Sequence, residues 1–428
     1  MRIQNTPIIA VLRIKNFRYL WLGQIFSQFA VNILVFVLLI TVYQRTSSNT
    51  AVSLLILTSG IPALLLGVIA GVFVDRWQKQ KVLFWCNLFR AVVVLLLLLT
   101  HQFLFSVYLI STLVAIITQF FVPAEVPLIP LLVPKDLLFT ANSVFTFSFY
   151  IAMTVGFVVS GPLLSIIGEV PTIMLVAFFL ILAAYFVGRI PPESTTNFLP
   201  FGQILLRVKG ELLQGLTFIK SKRGFGEAIA FFTASQAIIM MLAALAPGFA
   251  DRVLLVSLTD ATVVVMAPVV VGVILASVVL GNIGANWRKD RLVTIGIMGS
   301  GIVLLLLAMF VRIGYSPSLL TRMEKVVPDV LVISRLDVAM FLFFLFGVFN
   351  AAVIVPVNTF LQMQTEEGIR GKVYGLLTAL GGGVSILPVL GAGKLADTIG
   401  VGKTIFFLAC IISGFGFYRI SRRKQSRI

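Results

Sequence analysis

Glu125 sits between Pro123 and Pro127 in an otherwise apolar run, and Arg90 sits in another such run. An acid and a guanidinium in these surroundings are costly unless they pair, line water or exchange a proton. Two readings stay open for them, a protonation-sensitive gate and a static ion pair. Asp75, followed by Arg76, closes a third apolar run and would complete a Glu125–Arg90–Asp75 cluster. The prolines free backbone carbonyls and distort the helix that carries Glu125. Gln24, Gln28 and Asn32 follow one another at helical spacing, with Ser27 at the border, so they make one polar stripe. Such a stripe can line a cavity or hydrogen-bond a neighbouring helix. Ser235, Gln236, Asn350 and Asn358 are similar polar positions in later apolar runs. Phe26, Phe29, Phe231 and Phe232 stand beside these positions, where they could grip an apolar ligand or simply pack.

Other chemistries are excluded by what the chain lacks. His101 is the single histidine, so His-based metal sites and catalytic triads are out. Cys86 and Cys410 both lie in apolar runs and read as buried packing residues, too few for a disulfide framework. No G-x-x-x-x-G-K-[ST] phosphate loop occurs, so the chain does not itself use ATP. No catalytic residue, metal or cofactor is expected, and the chain does not read as an enzyme.

The elements that must hold these residues follow from composition. Of 428 residues, 59% are hydrophobic and 11% charged, with a mean hydropathy of +1.08. A soluble globule carries roughly 25% charged residues. The long runs, such as "GIVLLLLAMFV" at 301–311, lack the polar–apolar alternation of a membrane β-barrel. The expected class is an all-α polytopic membrane protein. Segments long enough to cross a bilayer are 17–43, 51–75, 82–100, 103–124, 137–166, 170–188, 226–250, 259–285, 292–312, 335–362, 369–397 and 402–419. The basic N-terminal segment runs into a full-length span, so no cleaved leader is expected.

The loops assign the sides. Of the 33 Lys and Arg, 24 fall in alternate loops together with both termini, 8 fall on the other face, and Arg90 lies within a span. The basic side is normally cytoplasmic, which puts both termini inside the cell membrane. The formal charge of +17 is this topology signal rather than a nucleic-acid footprint. Residues 201–221 are too polar to span, and they carry Leu205, Val208, Leu212, Leu216 and Ile219 on one helical face. An amphipathic helix on the cytoplasmic surface is expected there. The organisation is then a six-helix bundle at 1–190, a cytoplasmic linker at 191–225 and a second six-helix bundle at 226–428.

The two bundles read as a duplication. "FSQ" at 26–28 matches "ASQ" at 234–236, Asp75-Arg76-Trp77 falls near Asn286-Trp287-Arg288, and "GPLLSIIG" at 161–168 falls on "GKLADTIG" at 393–400. The offset grows between the second and third matches by about the length of the loop at 313–334. Twelve spans therefore form two six-helix pseudo-repeats, in which Ser235 and Gln236 stand where Ser27 and Gln28 stand in the first.

At this point the residues resemble a known family. "GVFVDRWQKQKVL" at 71–83 is similar to the loop signature of the major facilitator superfamily, G-x-x-x-D-R-x-G-R-[RK]. Gly71, Asp75, Arg76, Lys79 and Lys81 match, while Gln78 replaces the usual glycine. The stretches 120–143 and 361–376 resemble its macrolide-efflux-like and siderophore-exporter-like branch. "VGFVVSGP" at 155–162 resembles the Gly-Pro pattern of antiporters, without its downstream Gly-Gly pair.

The resemblance implies a secondary transporter working by alternating access. Its expected cargo is a small amphipathic solute, drug-like or siderophore-like, exported against a proton gradient. A lipid or lysolipid flippase and a solute importer are the alternatives. It implies a central cavity lined by spans one, four, seven and ten, and hence by Gln24, Ser27, Gln28, Asn32, Ser235, Gln236, Asn350 and Asn358. Without a midspan charge to select an ion, a neutral or weakly charged solute is expected. It also implies that Asp75 latches the eleventh span near Arg370. Gly71 and Gly67 would permit close helix approach. Gly156, Gly161 and Pro162 would kink the fifth span, and Gly381, Gly382 and Gly383 would bend the eleventh. Asp251, Asp260, Glu169 and Asp397 read as solvated charges on the outer side. The expected partners are the solute, a proton and membrane lipids, with no nucleic acid, and a monomer is expected.

Overall fold

Helices begin and end in this chain where apolar runs meet polar or glycine-containing breaks. The computed structural model describes residues 7–74, 77–100, 102–192, 224–283, 288–313, 335–365 and 383–425, together with Gly210 and Thr217. Asp75, Arg76, His101, Arg370, Gly381 and Gly382 lie outside the described residues, as does nearly all of the expected amphipathic helix at 201–221. In order the helices are α1 (Pro7–Arg13), α2 (Lys15–Thr46), α3 (Asn49–Val74), α4 (Lys79–Thr100), α5 (Leu104–Leu132), α6 (Leu138–Ile167) and α7 (Glu169–Gly188). They continue as α8 (Phe225–Phe249), α9 (Ala267–Ile283), α10 (Lys289–Ile313), α11 (Arg335–Gln364), α12 (Ile386–Ile399) and α13 (Val401–Gln425).

Among the described residues, 11 helices are long and apolar enough to cross a membrane. They correspond to the expected spans one to ten and twelve. The expected eleventh is described only from Gly383 onward, as Gly383–Val384 and then α12. Large apolar side chains face outward along them, among them Leu99, Phe105, Ile166 and Leu387, each at least 75% exposed. A soluble surface would not tolerate this; a lipid-facing one requires it. Among the described residues the architecture is all-helical, as expected for a polytopic membrane protein.

The described residues sort into two compact units. One draws on Met1–Arg45, Leu55–Ser221 and Gly368–Gly383, and the other on Thr46–Leu54, Lys222–Glu367 and Val384–Ile428. The turn between α2 and α3 thus groups with the second unit, although the sequence places it in the first bundle.

The duplication is visible in two connections. Gly168 joins α6 to α7 with φ +83°, and Gly400 joins α12 to α13 with φ +93°. Both values lie where only glycine is comfortable. The Gly168 N–H donates back to the Leu164 carbonyl, and the Gly400 N–H to that of Ala396. The threonine four residues on, Thr172 or Thr404, donates its backbone N–H and its hydroxyl to the glycine carbonyl. The matched segments 161–168 and 393–400 therefore end in the same one-residue junction.

Close packing falls on glycines in each unit. A Cβ on Gly272 of α9 would collide with the Phe344 carbonyl oxygen of α11, and one on Gly347 of α11 with the Val269 carbonyl oxygen of α9. The two backbones touch reciprocally, as small residues allow in membrane bundles. In the first unit a Cβ on Gly156 would lie 2.9 Å from the Phe29 carbonyl oxygen. A Cβ on Gly71, where close approach was expected, would meet no described atom within 4 Å, and the start of the eleventh span lies outside the described residues. Cys86 is buried as expected, but Cys410 is exposed on α13.

Candidate functional site

The first unit buries a polar cluster between α2, α4 and α5. Arg90 is 1% exposed and Glu125 is 4% exposed. The Arg90 Nη1 donates to Ser27 Oγ at 3.2 Å, and that hydroxyl donates to Asn87 Oδ1 at 2.8 Å. The guanidinium lies over the Phe121 ring, 4.4 Å from its centroid. Such a desolvated cation–π contact is worth about 2 kcal/mol. Glu125, one turn beyond Phe121 on α5, is near enough to act electrostatically on Arg90. Yet Nε and Nη2 of Arg90, Nδ2 of Asn87 and Oε1 of Glu125 have no hydrogen-bond partner. The cluster thus has spare capacity on both charged groups. The expected Arg90–Glu125 neighbourhood is there; its Asp75 member falls outside the described residues.

The polar stripe on α2 divides by burial. Ser27 is fully buried and belongs to the Arg90 cluster. Gln24 is buried too, and its Oε1 has no partner. Asn32 donates to the Gln28 carbonyl of its own helix at 2.7 Å and lies against Gly156. Gln28 is half-buried. The second unit repeats the division. Ser235 on α8 accepts from Asn350 Nδ2 on α11 at 2.9 Å, a buried helix–helix bond, while Gln236 and Asn358 are half-buried. Ser27, Ser235 and Asn350 therefore act as glue between helices. Gln28, Gln236 and Asn358 are half-buried and make no such described bond between helices.

This sorting makes an expected result. Gln28→Ala and Gln236→Ala should each weaken solute binding by about 3- to 10-fold, the worth of one hydrogen bond. Asn350→Ala should instead cost about 0.6 kcal/mol of stability. Binding titrations and thermal melts on the same samples separate the two classes.

The aromatic residues beside the stripe mostly pack. Phe26 stacks on Phe179 and Phe186, and Phe29 meets Phe179 edge-on. Phe231 is buried against Phe415, with the Arg419 guanidinium 4.1 Å from its centroid. Arg419 also pairs with Glu227 at 3.0 Å, tying α13 to α8. In sequence Arg419 is only one of the 24 Lys and Arg counted to the basic side.

Along α4 and α5 runs a groove of about 800 Å³. Trp77, Lys81, Trp85, Phe89, Ile117 and Phe120 line it. Trp85 and Phe89 are exposed, and Trp77 stacks on Phe120.

One acid is not the solvated charge the sequence suggested. Asp397, near the end of α12, accepts five hydrogen bonds from the turn that starts α3. They come from the backbone N–H groups of Asn49 and Thr50 at 2.8 and 2.9 Å, the hydroxyls of Ser48 and Thr50 at 2.6 and 2.7 Å, and the Asn49 amide at 3.0 Å. The available signal was "SSNT" at 47–50, a run of capping residues ahead of a helix. Glu169 is also engaged, accepting from Thr41 at 3.3 Å and lying 3.9 Å from Arg45. Asp260 accepts from Ser257 at 2.7 Å.

Known proteins give the same picture. Residues 20–388 match the family described as the Major Facilitator Superfamily. The chain belongs to that superfamily, and the protein is a multi-span membrane transporter of its type. An uncharacterised MFS-type transporter of Bacillus subtilis (strain 168), YfiS, is 23% identical over 395 residues, covering 91% of this chain and 88% of its own. Among solved structures, the POT family transporter PepTSo superposes with a TM-score of 0.70 at 13% identity, over 96% of this chain and 99% of that one. A bacterial homologue of the human lysosomal transporter Spinster gives 0.68 at 14% identity, over 94% and 95%. The nucleoside transporter NupG gives 0.67 at 12% identity, over 95% and 98%. At these identities the likeness is one of fold.

Proposed function

We propose that the protein is a proton-coupled exporter of small amphipathic solutes in the cell membrane, with both termini cytoplasmic, working as a monomer by alternating access. The observation that carries this reading is the buried Arg90–Glu125 cluster with unpartnered atoms on both groups. A buried carboxylate near a buried guanidinium can take a proton at one stage of a cycle and release it at another. The neutral, half-buried Gln28, Gln236 and Asn358 suit a neutral or weakly charged cargo. Resemblance to the macrolide-efflux-like branch favours export over import, although relatives of the same fold include nucleoside and peptide transporters.

The test is a pH-gradient assay in liposomes carrying an internal pH dye, with amphipathic compounds added singly. The expected outcome is a compound-dependent proton flux that falls to the protein-free level in Glu125→Gln. A flux unchanged by that substitution removes Glu125 from the coupling path.

A second reading, a lipid or lysolipid flippase, is favoured by the aromatic groove on α4 and α5, whose apolar wall and Lys81 suit an acyl chain beneath an anionic headgroup. Fluorescent-lipid translocation by the same vesicles, with no solute-linked flux, would replace export by this reading.

A further inference from the structure

The groove on α4 and α5 is built within the first unit alone. Along α4, Trp85, Phe89, Val92, Leu96 and Leu99 are exposed at helical spacing, a wholly apolar stripe that runs most of the length of the helix. A stripe of that kind faces acyl chains. The groove lies where this stripe starts, and its polar end is at the start of α4. Trp77 and Trp85 line it, and such amphipathic rings settle at the boundary between membrane and water. Lys81, exposed in the first turn of α4, is the one charge among the lining residues and pairs with no described carboxylate. The positive end of the α4 dipole adds to its field. Gln78 also lines the groove, and its Oε1 is buried without a hydrogen-bond partner. It stands where the loop signature has glycine, so this acceptor is particular to the present chain. The inner wall is the seam of the two helices, where Cys86 Sγ lies 3.7 Å from the Ile117 carbonyl. One turn further along, Arg90 lies over Phe121.

We infer that this groove is a standing site for one anionic phospholipid with hydroxyl groups on its head, phosphatidylglycerol in chemical class. The phosphate meets the Lys81 ammonium, a headgroup hydroxyl donates to Gln78 Oε1, and an acyl chain lies on Trp85, Phe89 and Phe120. The inference stands apart from both transport readings, because this lipid is held and not carried. The chemistry selects among lipids. A phosphatidylcholine head brings a positive charge beside Lys81 and has no donor for Gln78. Seated in the groove, the lipid braces α4 against α5 one turn from the Arg90–Phe121 contact.

The experiment uses full-length protein with Trp21→Phe, Trp77→Phe and Trp287→Phe, which leaves Trp85 as the one tryptophan. Vesicles mix phosphatidylcholine with phosphatidylglycerol, with brominated chains on one lipid or the other, and quenching of Trp85 fluorescence gives their relative binding constant. Phosphatidylglycerol is expected to be preferred. Lys81→Gln should lower that preference about 5-fold, the worth of one cation close to an anionic headgroup. Gln78→Leu should lower it about 3-fold, the worth of one modest hydrogen bond. Lys135→Gln removes an equal charge from an exposed position just beyond α5 and should leave the preference unchanged. Equal quenching by the two lipids overturns the inference. An equal fall in Lys81→Gln and Lys135→Gln also overturns it, because the general charge of the protein would then draw the lipid. Translocation of fluorescent phosphatidylglycerol by the same vesicles overturns the standing site and gives the groove to the flippase reading. Failure of the export reading alters none of these results.

Discussion

Arg90→Leu should cost about 3 to 5 kcal/mol of stability, the penalty for removing one member of a buried charged pair. Three contacts vanish together: the bond to Ser27, the stacking on Phe121 and the positive field at Glu125. The last matters most, because a 4%-exposed carboxylate would be left with an unpartnered oxygen and without the one described cation that acts on it. If that is the cause, Arg90→Leu combined with Glu125→Leu should recover most of the loss, since replacing both members by apolar groups is often neutral. Thermal or denaturant unfolding of the four proteins in one detergent closes the double-mutant cycle. A double variant no better than Arg90→Leu would show that the Ser27 and Phe121 contacts, rather than the charge on Glu125, carry the energy.

The second large effect should come from Gly347→Leu. At that position α11 meets α9 backbone to backbone, and the reciprocal contact at Gly272 leaves no room for either helix to yield. Even Gly347→Ala should cost about 1 to 3 kcal/mol through overpacking. The leucine should leave little monodisperse protein in size-exclusion chromatography. Gly71→Ala is the internal comparison. Its added methyl meets no described atom within 4 Å, so the melting temperature should fall less than in Gly347→Ala. Equal losses at Gly71 and Gly347 would mean that glycine matters here through backbone freedom and not through helix contact.

Most of the scaffold was legible because the bilayer imposes a simple rule: a long apolar run becomes a helix. The Arg90–Glu125 neighbourhood was legible for the same reason, since two ionisable groups in lipid must answer to one another. Asn87 was not. It carries no charge, and only its place three residues before Arg90 on the same helix face hinted that it would share the cluster. The stripe at Gln24, Gln28 and Asn32 gave the face but not the division of labour, because burial depends on where Gly156 lets α6 come close. Asp397 was misread because its donors lie some 350 positions earlier in the chain, as with the separation of 348 to Asn49, and no local pattern reports contacts at that range.

The junctions at Gly168 and Gly400 carry a consequence for how the protein is made. A single residue gives no slack, so α6 cannot leave a translocon sideways into lipid while α7 waits behind it in the aqueous pore. The same holds for α12 and α13. Each pair should partition as one helical hairpin, with its junction as the leading tip. Lengthening either junction with flexible residues would let the paired helices be inserted one at a time.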